Sequence, residues 1–269
     1  MAETDVRIER GLGPEGRIAR VTFDRGNRLN ALSPEVMRQL RAAAESFEDD
    51  LATSVVVLTG RADGFSAGFD LKDAEGAERA SLPLGERRRA LRIGPNMCRA
   101  WYEMDQVTIA AIEGHCIGGG VALSVSLDFR FCGQSAHFRV PEVELGMNMS
   151  WGSVPRILQL IGPARTKQAV ILASEKISSA EAYEWGLVEK VAPDGQVLAE
   201  AMAFAEKIAA MPPLPVTMIK TSVNRLAGAL DDLAAHMDTD QFAITNTSED
   251  HREGVAAFME RRKPRFKGR

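Results

Sequence analysis

The chain has 269 residues, of which 45% are hydrophobic and 26% are charged, and these proportions exclude a disordered, collagen-like or coiled-coil protein. A chain of this length forms one large domain or two modest ones and can bury a substantial core without disulfides or metals. Lys and Arg number 33 and Asp and Glu number 37, so the net charge of -4 disfavours general nucleic-acid binding.

The predicted elements of the first part are strands at residues 6–9 and 17–23, a helix at 34–49, a strand at 54–59, a loop at 60–69 and a charged, mostly helical segment at 71–105. The helix prediction depends on Ser33, Pro34 and Glu35, which supply an N-cap hydroxyl, a first-turn proline and an acid for the helix dipole. The strand at 54–59 is apolar without interruption, which is typical of a parallel strand covered by helices on both faces.

The predicted elements of the second part are a strand at residues 108–112, a glycine loop at 114–120, a helix at 121–126, strands at 129–132, 137–139 and 187–191, a helical region from 153 that is interrupted at 161–163, a helix at 178–186, and helices at 197–210, 215–227, 230–245 and 251–259. Strands alternate with helices up to about residue 150, and helices dominate afterwards. The pattern predicts an α/β fold with a helical C-terminal region.

The cysteines and the start of the chain argue against metal sites, disulfides and a targeting segment. Cys98, Cys116 and Cys132 are odd in number and lack C-x-x-C spacing, so neither a zinc site nor a disulfide framework is predicted. The start is polar and does not resemble a signal peptide, and no run of about 18 apolar residues is present. We expect a cytoplasmic protein. The four histidines show no metal-ligand spacing and are expected to be structural or surface residues.

Two glycine loops, at residues 64–70 and 114–120, each follow a buried strand. Such loops either are tight turns that need small residues, or present free N–H groups to an anion or an oxyanion. Neither matches the G-x-G-x-x-G or G-x-x-x-x-G-K-[ST] pattern, so a nucleotide-binding fingerprint is not indicated.

In chain order, the segments that carry a family resemblance are R-L-N-A-L-S at 28–33, F-S-A-G-F-D-L-K at 65–72, G-H-C-I-G-G-G at 114–120, F-R-V-P-E-V-E-L-G at 138–146, A-E-A-Y-E-W-G-L-V at 180–188 and F-M-E-R-R-K at 258–263. Together they resemble the crotonase superfamily, the enoyl-CoA hydratase/isomerase family, over nearly the whole chain. The resemblance implies a spiral of repeated β-β-α turns that holds an acyl-CoA site (residues 1–200), and a helical C-terminal region for trimerisation and the CoA pocket (residues 201–269). It also implies a homotrimer or a dimer of trimers.

The resemblance further implies a mechanism. The backbone N–H groups of Phe69 and Gly119 would bind the thioester oxygen as it becomes an enolate, and each such donor lowers a barrier by roughly 3–4 kcal/mol. Glu142 would be the catalytic acid/base. Family hydratases place a second carboxylate two residues after the glycine triplet, where this chain has Ala122.

The residues that the resemblance assigns to substrate and CoA binding are Arg28, Ala31, Ala67, Gly68, Asp70, Leu71, Lys72, Gly118, Trp151, Phe258 and Lys263. Three of them have a structural alternative: Asp70 as a helix N-cap, Trp151 as core filling, and Lys263 as part of a solvated basic tail. Trp151 stands where family hydratases have a glycine-rich stretch, so we expect it to reshape the acyl pocket.

A CoA thioester is the expected substrate, with no cofactor, metal, nucleic acid or membrane partner. The absence of an acid at residue 122 favours double-bond isomerisation over hydration, because one base can move a proton between two carbons. Two alternatives stay open at this point: a catalytically silent acyl-CoA-binding protein, and a hydratase-lyase that acts on an aromatic enoyl-CoA.

Overall fold

The computed structural model describes residues 4–173 and 175–269. Residues 1–3, which belong to the polar start, and residue 174 lie outside the described residues. In the described part, the strands are β1 (Val6–Leu12), β2 (Ile18–Phe23), β3 (Val55–Thr59), β4 (Val107–Ile112), β5 (His115–Ile117), β6 (Phe129–Gly133), β7 (His137–Arg139), β8 (Ile177–Ser178) and β9 (Lys190–Ala192).

These strands form two sheets. The larger has the order β1-β2-β3-β4-β6-β9, and the smaller has the order β5-β7-β8. β1 pairs with β2 antiparallel, and every later neighbour in the larger sheet is parallel. Since β5 belongs to the smaller sheet, the chain turns from one sheet into the other directly after β4.

The helices are α1 (Pro34–Glu45), α2 (Ala74–Glu78), α3 (Leu84–Ala90), α4 (Ile93–Tyr102), α5 (Gly119–Ser124), α6 (Ser153–Ile171), α7 (Ser179–Trp185), α8 (Val197–Ala209), α9 (Pro213–Ala227), α10 (Asp231–Ala235), α11 (Asp238–Thr245) and α12 (Glu249–Glu260). Two 3₁₀ helices cover Arg79–Ser81 and Glu142–Leu145. The α/β class and the helical C-terminal region are confirmed.

The larger sheet is buried on both faces, as the apolar runs predict. Every residue of β3 and β4 is buried. One face carries the main core, to which α1 and α4 contribute, and α8 covers the other face with Ala201 and Ala205. The boundary predicted between residues 200 and 201 falls inside α8. This helix, which covers the second face of the larger sheet, therefore belongs to both predicted regions.

Local signals set several helix ends where the sequence predicts them. The Ser33 hydroxyl accepts the Val36 N–H at 3.2 Å, and Pro34 begins α1. Ser178 and Glu181 form a capping box at the start of α7. At Gly162 the backbone turns left-handed (φ 73°) and divides α6 with a kink.

Several predicted element bounds differ from the structure. β1 extends to Leu12 instead of ending at residue 9, and α1 ends at Glu45 instead of residue 49. Three further differences have a local cause. The helix predicted at 121–126 begins at Gly119, because the glycines lack the side chains on which helical periodicity depends. The helix predicted at 230–245 is two helices, α10 and α11. The strand predicted at 187–191 is displaced to β9, because the N–H groups of Leu187 and Val188 both donate to the Ala182 carbonyl and end α7.

The C-terminal helices expose an unusual amount of apolar surface. α9 has no buried residue, and its Leu214, Ile219 and Leu226 side chains are 65%, 64% and 80% exposed. Leu230 and Leu233 continue the surface into α10. Within the described ranges, no helix combines the length and the apolar character needed to cross a membrane.

Candidate active site

The two glycine loops meet at the junction of the two sheets. The Ser66 N–H donates to the His115 carbonyl at 3.1 Å, and the Ile117 N–H donates to the Ser66 carbonyl at 2.9 Å. Behind this contact, the buried Asn30 side chain donates to the carbonyls of Phe23 and Phe65 at 3.1 and 2.9 Å. The first loop is therefore fixed from both sides, by β5 and by the segment that precedes α1.

Gly68 is the point of closest approach between the loops. Its φ of 84° is left-handed, and a methyl group on its Cα would lie 2.7 Å from the Ile117 carbonyl oxygen and 3.1 Å from the Gly119 nitrogen. A side chain at Gly68 would force the loops apart. Because the Phe69 amide begins directly after Gly68, the amides of Phe69 and Gly119 come from neighbouring stretches of backbone.

Most amides around this point have partners. The Gly68 N–H donates to the Ser66 hydroxyl at 3.1 Å, the Asp70 N–H to the Leu32 carbonyl at 3.2 Å, and the Gly118 N–H to the Arg139 carbonyl at 2.8 Å.

The N–H groups of Phe69 and Gly119 donate to no protein acceptor in residues 4–173 and 175–269. Gly119 also begins α5, so the helix dipole adds a partial positive charge there. The arrangement can accept developing negative charge on an oxygen.

Glu142 lies beside Gly118, the residue that precedes the Gly119 amide, at the start of the 3₁₀ helix after Pro141. A methyl group on Gly118 would lie 2.7 Å from Glu142 Oε1. Oε2 is buried and has no hydrogen-bond partner among the described residues. Burial raises the pKa of Glu142 to about 7, although Arg139 favours the charged form. A carboxyl group with this pKa can both accept and release a proton near neutral pH.

Arg139 does not neutralise Glu142, because its guanidinium group is held elsewhere. It forms an ion pair with Glu144 and donates to the Ala173 carbonyl at 2.8 Å. Glu144 is thus half-buried and paired. Glu144 therefore has a charged partner, whereas Glu142 has none among the described residues.

Ala122, at which the family resemblance predicts the loss of a second acid, is 1% exposed. It lies in α5 and packs into the main core, where its carbonyl accepts the Ser126 hydroxyl at 2.7 Å. Nothing at residue 122 can donate or accept a proton through a side chain.

Trp151 is adjacent to the same site. Its indole lies between α4 and α5: a methyl group on Gly94 would lie 2.1 Å from Cε2, and one on Gly119 would lie 2.7 Å from Cζ3 and Cη2. Leu32 Cδ1 is 3.5 Å from the same position on Gly119. Trp151 and Leu32 therefore form an apolar wall against the backbone of Gly119.

The other residues of the first loop have mixed environments. Asp70 Oδ2 pairs with Arg25 at 2.5 Å and Oδ1 accepts the Lys72 N–H at 3.0 Å, so Asp70 caps no helix and α2 begins only at Ala74. Arg25 also donates to the Ala31 carbonyl at 3.2 Å. Sequence reasoning missed Arg25, because no local pattern indicates a partner so far along the chain.

The remaining predicted binding residues differ in their exposure. Ala31 is buried, Ala67 is half-buried, and Leu71 is 39% exposed. Arg28 and Lys72 are exposed and form no ion pair with any described residue.

Phe258 and Lys263 lie at the C-terminal end of the chain and are both exposed. In the described chain, no hydrogen bond or ion pair links them to Phe69, Gly119 or Glu142. The structure of one chain therefore does not bring these two predicted residues into the site.

α12 itself does contact the 3₁₀ helix that carries Glu142. A methyl group on Gly254 would lie 2.7 Å from the Glu144 carbonyl oxygen, so the two backbones touch. The His251 ring also bonds to the Leu145 carbonyl at 2.8 Å. This contact gives His251 a structural role, as the sequence predicts.

Comparisons with known proteins agree with this geometry. The sequence model of the family "Enoyl-CoA hydratase/isomerase" matches residues 13–269. A crotonyl-CoA hydratase of Syntrophomonas wolfei is 30% identical over 99% of this chain and 99% of its own length. A probable enoyl-CoA hydratase of Rhizobium meliloti is 33% identical over 95% of this chain and 96% of its own length.

Among solved structures, the crystal structure of carnitinyl-CoA hydratase from Mycobacterium avium is similar, with a TM-score of 0.82, 30% identity and full coverage of both chains. The match extends through the glycine loops, the 3₁₀ helix and the C-terminal helices. This chain is therefore an enzyme that belongs to the enoyl-CoA hydratase/isomerase family.

Proposed function

We propose that this enzyme binds an enoyl-CoA thioester and moves a proton between two carbons of its acyl chain, which shifts the double bond. Glu142 is the acid/base, and the N–H groups of Phe69 and Gly119 bind the thioester oxygen. One observation carries the proposal. Two amides without partners come from loops that touch at Gly68, and the Glu142 carboxyl group, whose Oε2 is buried without a partner, contacts Gly118, with an apolar residue where a second acid would be.

In the proposed reaction, the Glu142 carboxylate takes a proton from an acyl carbon next to the conjugated system. The electron pair of the broken C–H bond moves into the chain, and the thioester oxygen becomes an enolate oxygen. The two N–H groups stabilise that charge more strongly than they stabilise the neutral carbonyl. Glu142 exchanges its proton with water and then delivers a proton to the other carbon. No atom is gained or lost, so the proposal requires no cofactor.

Hydration is the second candidate, because several relatives are named as hydratases. Glu142 alone would then have to take a proton from water and deliver it to the carbon next to the carbonyl. Ala122 offers no second carboxylate to hold that water. We therefore rank hydration below isomerisation.

The CoA portion of the substrate is polyanionic, and we propose Arg28, Lys72 and Lys263 as its cationic partners. Their side chains lack an ion-pair partner within the described chain, so they are available to phosphate groups. Salt weakens such exposed contacts. For the acyl and pantetheine portions we propose Ala31, Ala67, Gly68, Asp70, Leu71, Gly118, Trp151 and Phe258.

We also propose that the enzyme is a homotrimer or a dimer of trimers. The exposed apolar side chains of α9 and α10 support association, since a monomer rarely exposes a contiguous apolar surface of this kind. Covering this surface would bring the C-terminal helices of neighbouring copies together.

Labelled water distinguishes the two reactions. We expect the enzyme to introduce deuterium from heavy water into an enoyl-CoA, because Glu142 exchanges its proton with solvent, and to introduce no heavy oxygen. Mass spectrometry of the product measures both labels. Uptake of heavy oxygen into the acyl chain would replace isomerisation by hydration. An unlabelled acyl chain whose double bond has not moved, with every enoyl-CoA tested, would contradict both.

The pH dependence follows from Glu142. The carboxylate is the form that takes the first proton, and burial raises its pKa to about 7. We therefore expect kcat/KM to fall tenfold per pH unit below about pH 7 and to level off above it. Initial rates between pH 5 and pH 9 measure this limb. A profile that is flat down to pH 5 would contradict the assignment.

A further inference from the structure

We propose that Trp151 limits the length of the acyl chain, so that the enzyme favours short-chain acyl thioesters. This inference rests on the proposed function, because it takes Gly119 as a donor to the thioester oxygen. It goes further by naming the substrate class and the side chain that sets it.

The indole of Trp151 lies next to the backbone that would bind the thioester oxygen. Its Cζ3 and Cη2 atoms face the Gly119 backbone, and its Cε2, Cζ2 and Nε1 atoms face Gly94. The ring therefore spans the space between the first turns of α4 and α5. An acyl group whose oxygen is bound by Gly119 has the ring as a neighbour along its chain.

The backbone conformation of Trp151 holds its ring in place. Trp151 has a φ of 64° and is followed by Gly152 with a φ of 66°, so two consecutive residues are left-handed. Glycine adopts this conformation freely, whereas an aromatic residue is strained there. The strain is tolerated because the ring packs against the main core. Trp151 is held in one place and cannot easily move aside for a longer chain.

The residues packed around the ring leave space for the indole itself. A side chain on residue 94 or residue 119 would collide with the indole, and both residues are glycine, Gly94 and Gly119. Leu32, which is fully buried, packs behind the ring on the Gly119 side. The half-buried indole is therefore the apolar surface that an acyl chain meets, and it blocks growth of the chain in that direction.

Substitution of Trp151 by glycine tests the inference. Calorimetry would measure the affinity for butyryl-CoA and decanoyl-CoA, and initial rates would be measured with the matching enoyl-CoA thioesters. We expect the native enzyme to favour the four-carbon chain. We expect Trp151→Gly to raise the ratio of decanoyl to butyryl affinity by about tenfold or more, since the fit of even one methylene changes recognition about tenfold.

Two further variants control the experiment. Trp151→Phe keeps a smaller ring and should shift the ratio in the same direction by less, which decides the question if the glycine variant does not fold. Trp185 lies in α7 with its ring beside Arg165, so Trp185→Ala should leave the ratio unchanged.

The results separate the two proposals. A native preference for decanoyl-CoA, or a ratio that Trp151→Gly and Trp151→Phe leave unchanged, would overturn the role of Trp151 even with normal turnover. A shifted binding ratio in an enzyme that turns over none of the thioesters would support Trp151 as the limit and overturn the proposed reaction.

Discussion

Glu142→Gln is expected to lower kcat/KM by a factor of about 10²–10⁴, the range in which a positioned acid/base contributes to catalysis. Glutamine preserves the shape and the contact with Gly118 but cannot take a proton from carbon. Substrate affinity should change little, because the side chain acts on the reacting carbon. Steady-state kinetics with the best enoyl-CoA, together with the affinity for a saturated acyl-CoA, measure the two effects separately.

The same substitution should not destabilise the protein above neutral pH. Burial raises the pKa of Glu142 above its value in the unfolded chain, so the native state favours the protonated form. That stabilisation is present at low pH and is lost as the pH rises through about 7. At pH 8 the neutral amide should therefore raise the Tm of the variant slightly. Glu184→Gln, which changes an exposed acid of α7, controls for the chemistry of the substitution. A Glu142→Gln enzyme with native kcat/KM would contradict the assignment.

Gly119→Pro is expected to lower kcat/KM by a factor of about 10²–10³ relative to Gly119→Ala, the effect of removing one oxyanion donor. Both variants add a Cβ that meets Trp151, so the collision is common to the pair. Proline alone removes the N–H group. Gly119 is the first residue of α5, a position at which helices accept proline.

The comparison of the two variants isolates the amide. Rates with an enoyl-CoA measure the effect on the transition state, and binding of a saturated acyl-CoA measures the effect on the ground state. A larger loss in rate than in affinity is the result expected for a donor that strengthens as the oxygen becomes charged. Equal rates for Gly119→Pro and Gly119→Ala would remove Gly119 N–H from the mechanism.

Local signals explain which parts of the fold could be predicted. The strands β3 and β4 are apolar without interruption, and Ser33, Pro34 and Gly162 determine backbone geometry within a few residues. The start of α5 has no such signal, because a helix that begins with glycines has no apolar stripe in its first turn. Leu230, Leu233 and Met237 recur at helical spacing across the break between α10 and α11, so periodicity predicts one helix.

The candidate site could be predicted only in part. The residues alone are consistent with either turns or binding loops at both glycine loops, and only the family resemblance points to Phe69, Gly119 and Glu142. Two contacts are predicted neither by the local sequence pattern nor by the family resemblance. The Arg25–Asp70 ion pair and the indole between Gly94 and Gly119 each join residues far apart in the sequence. Such pairings depend on how the two sheets meet, which local patterns do not encode.

The contact between α12 and the 3₁₀ helix has a consequence for how the enzyme loses activity. The backbone of Gly254 rests on Glu144 and Leu145, and His251 bonds to the same turn. The C-terminal helix thus supports the turn that orients Glu142, although it contributes little to the cores around the larger sheet. Proteolytic cleavage before α12 would therefore inactivate the enzyme while leaving the β-sheets folded, and such a clipped chain would still resist complete digestion.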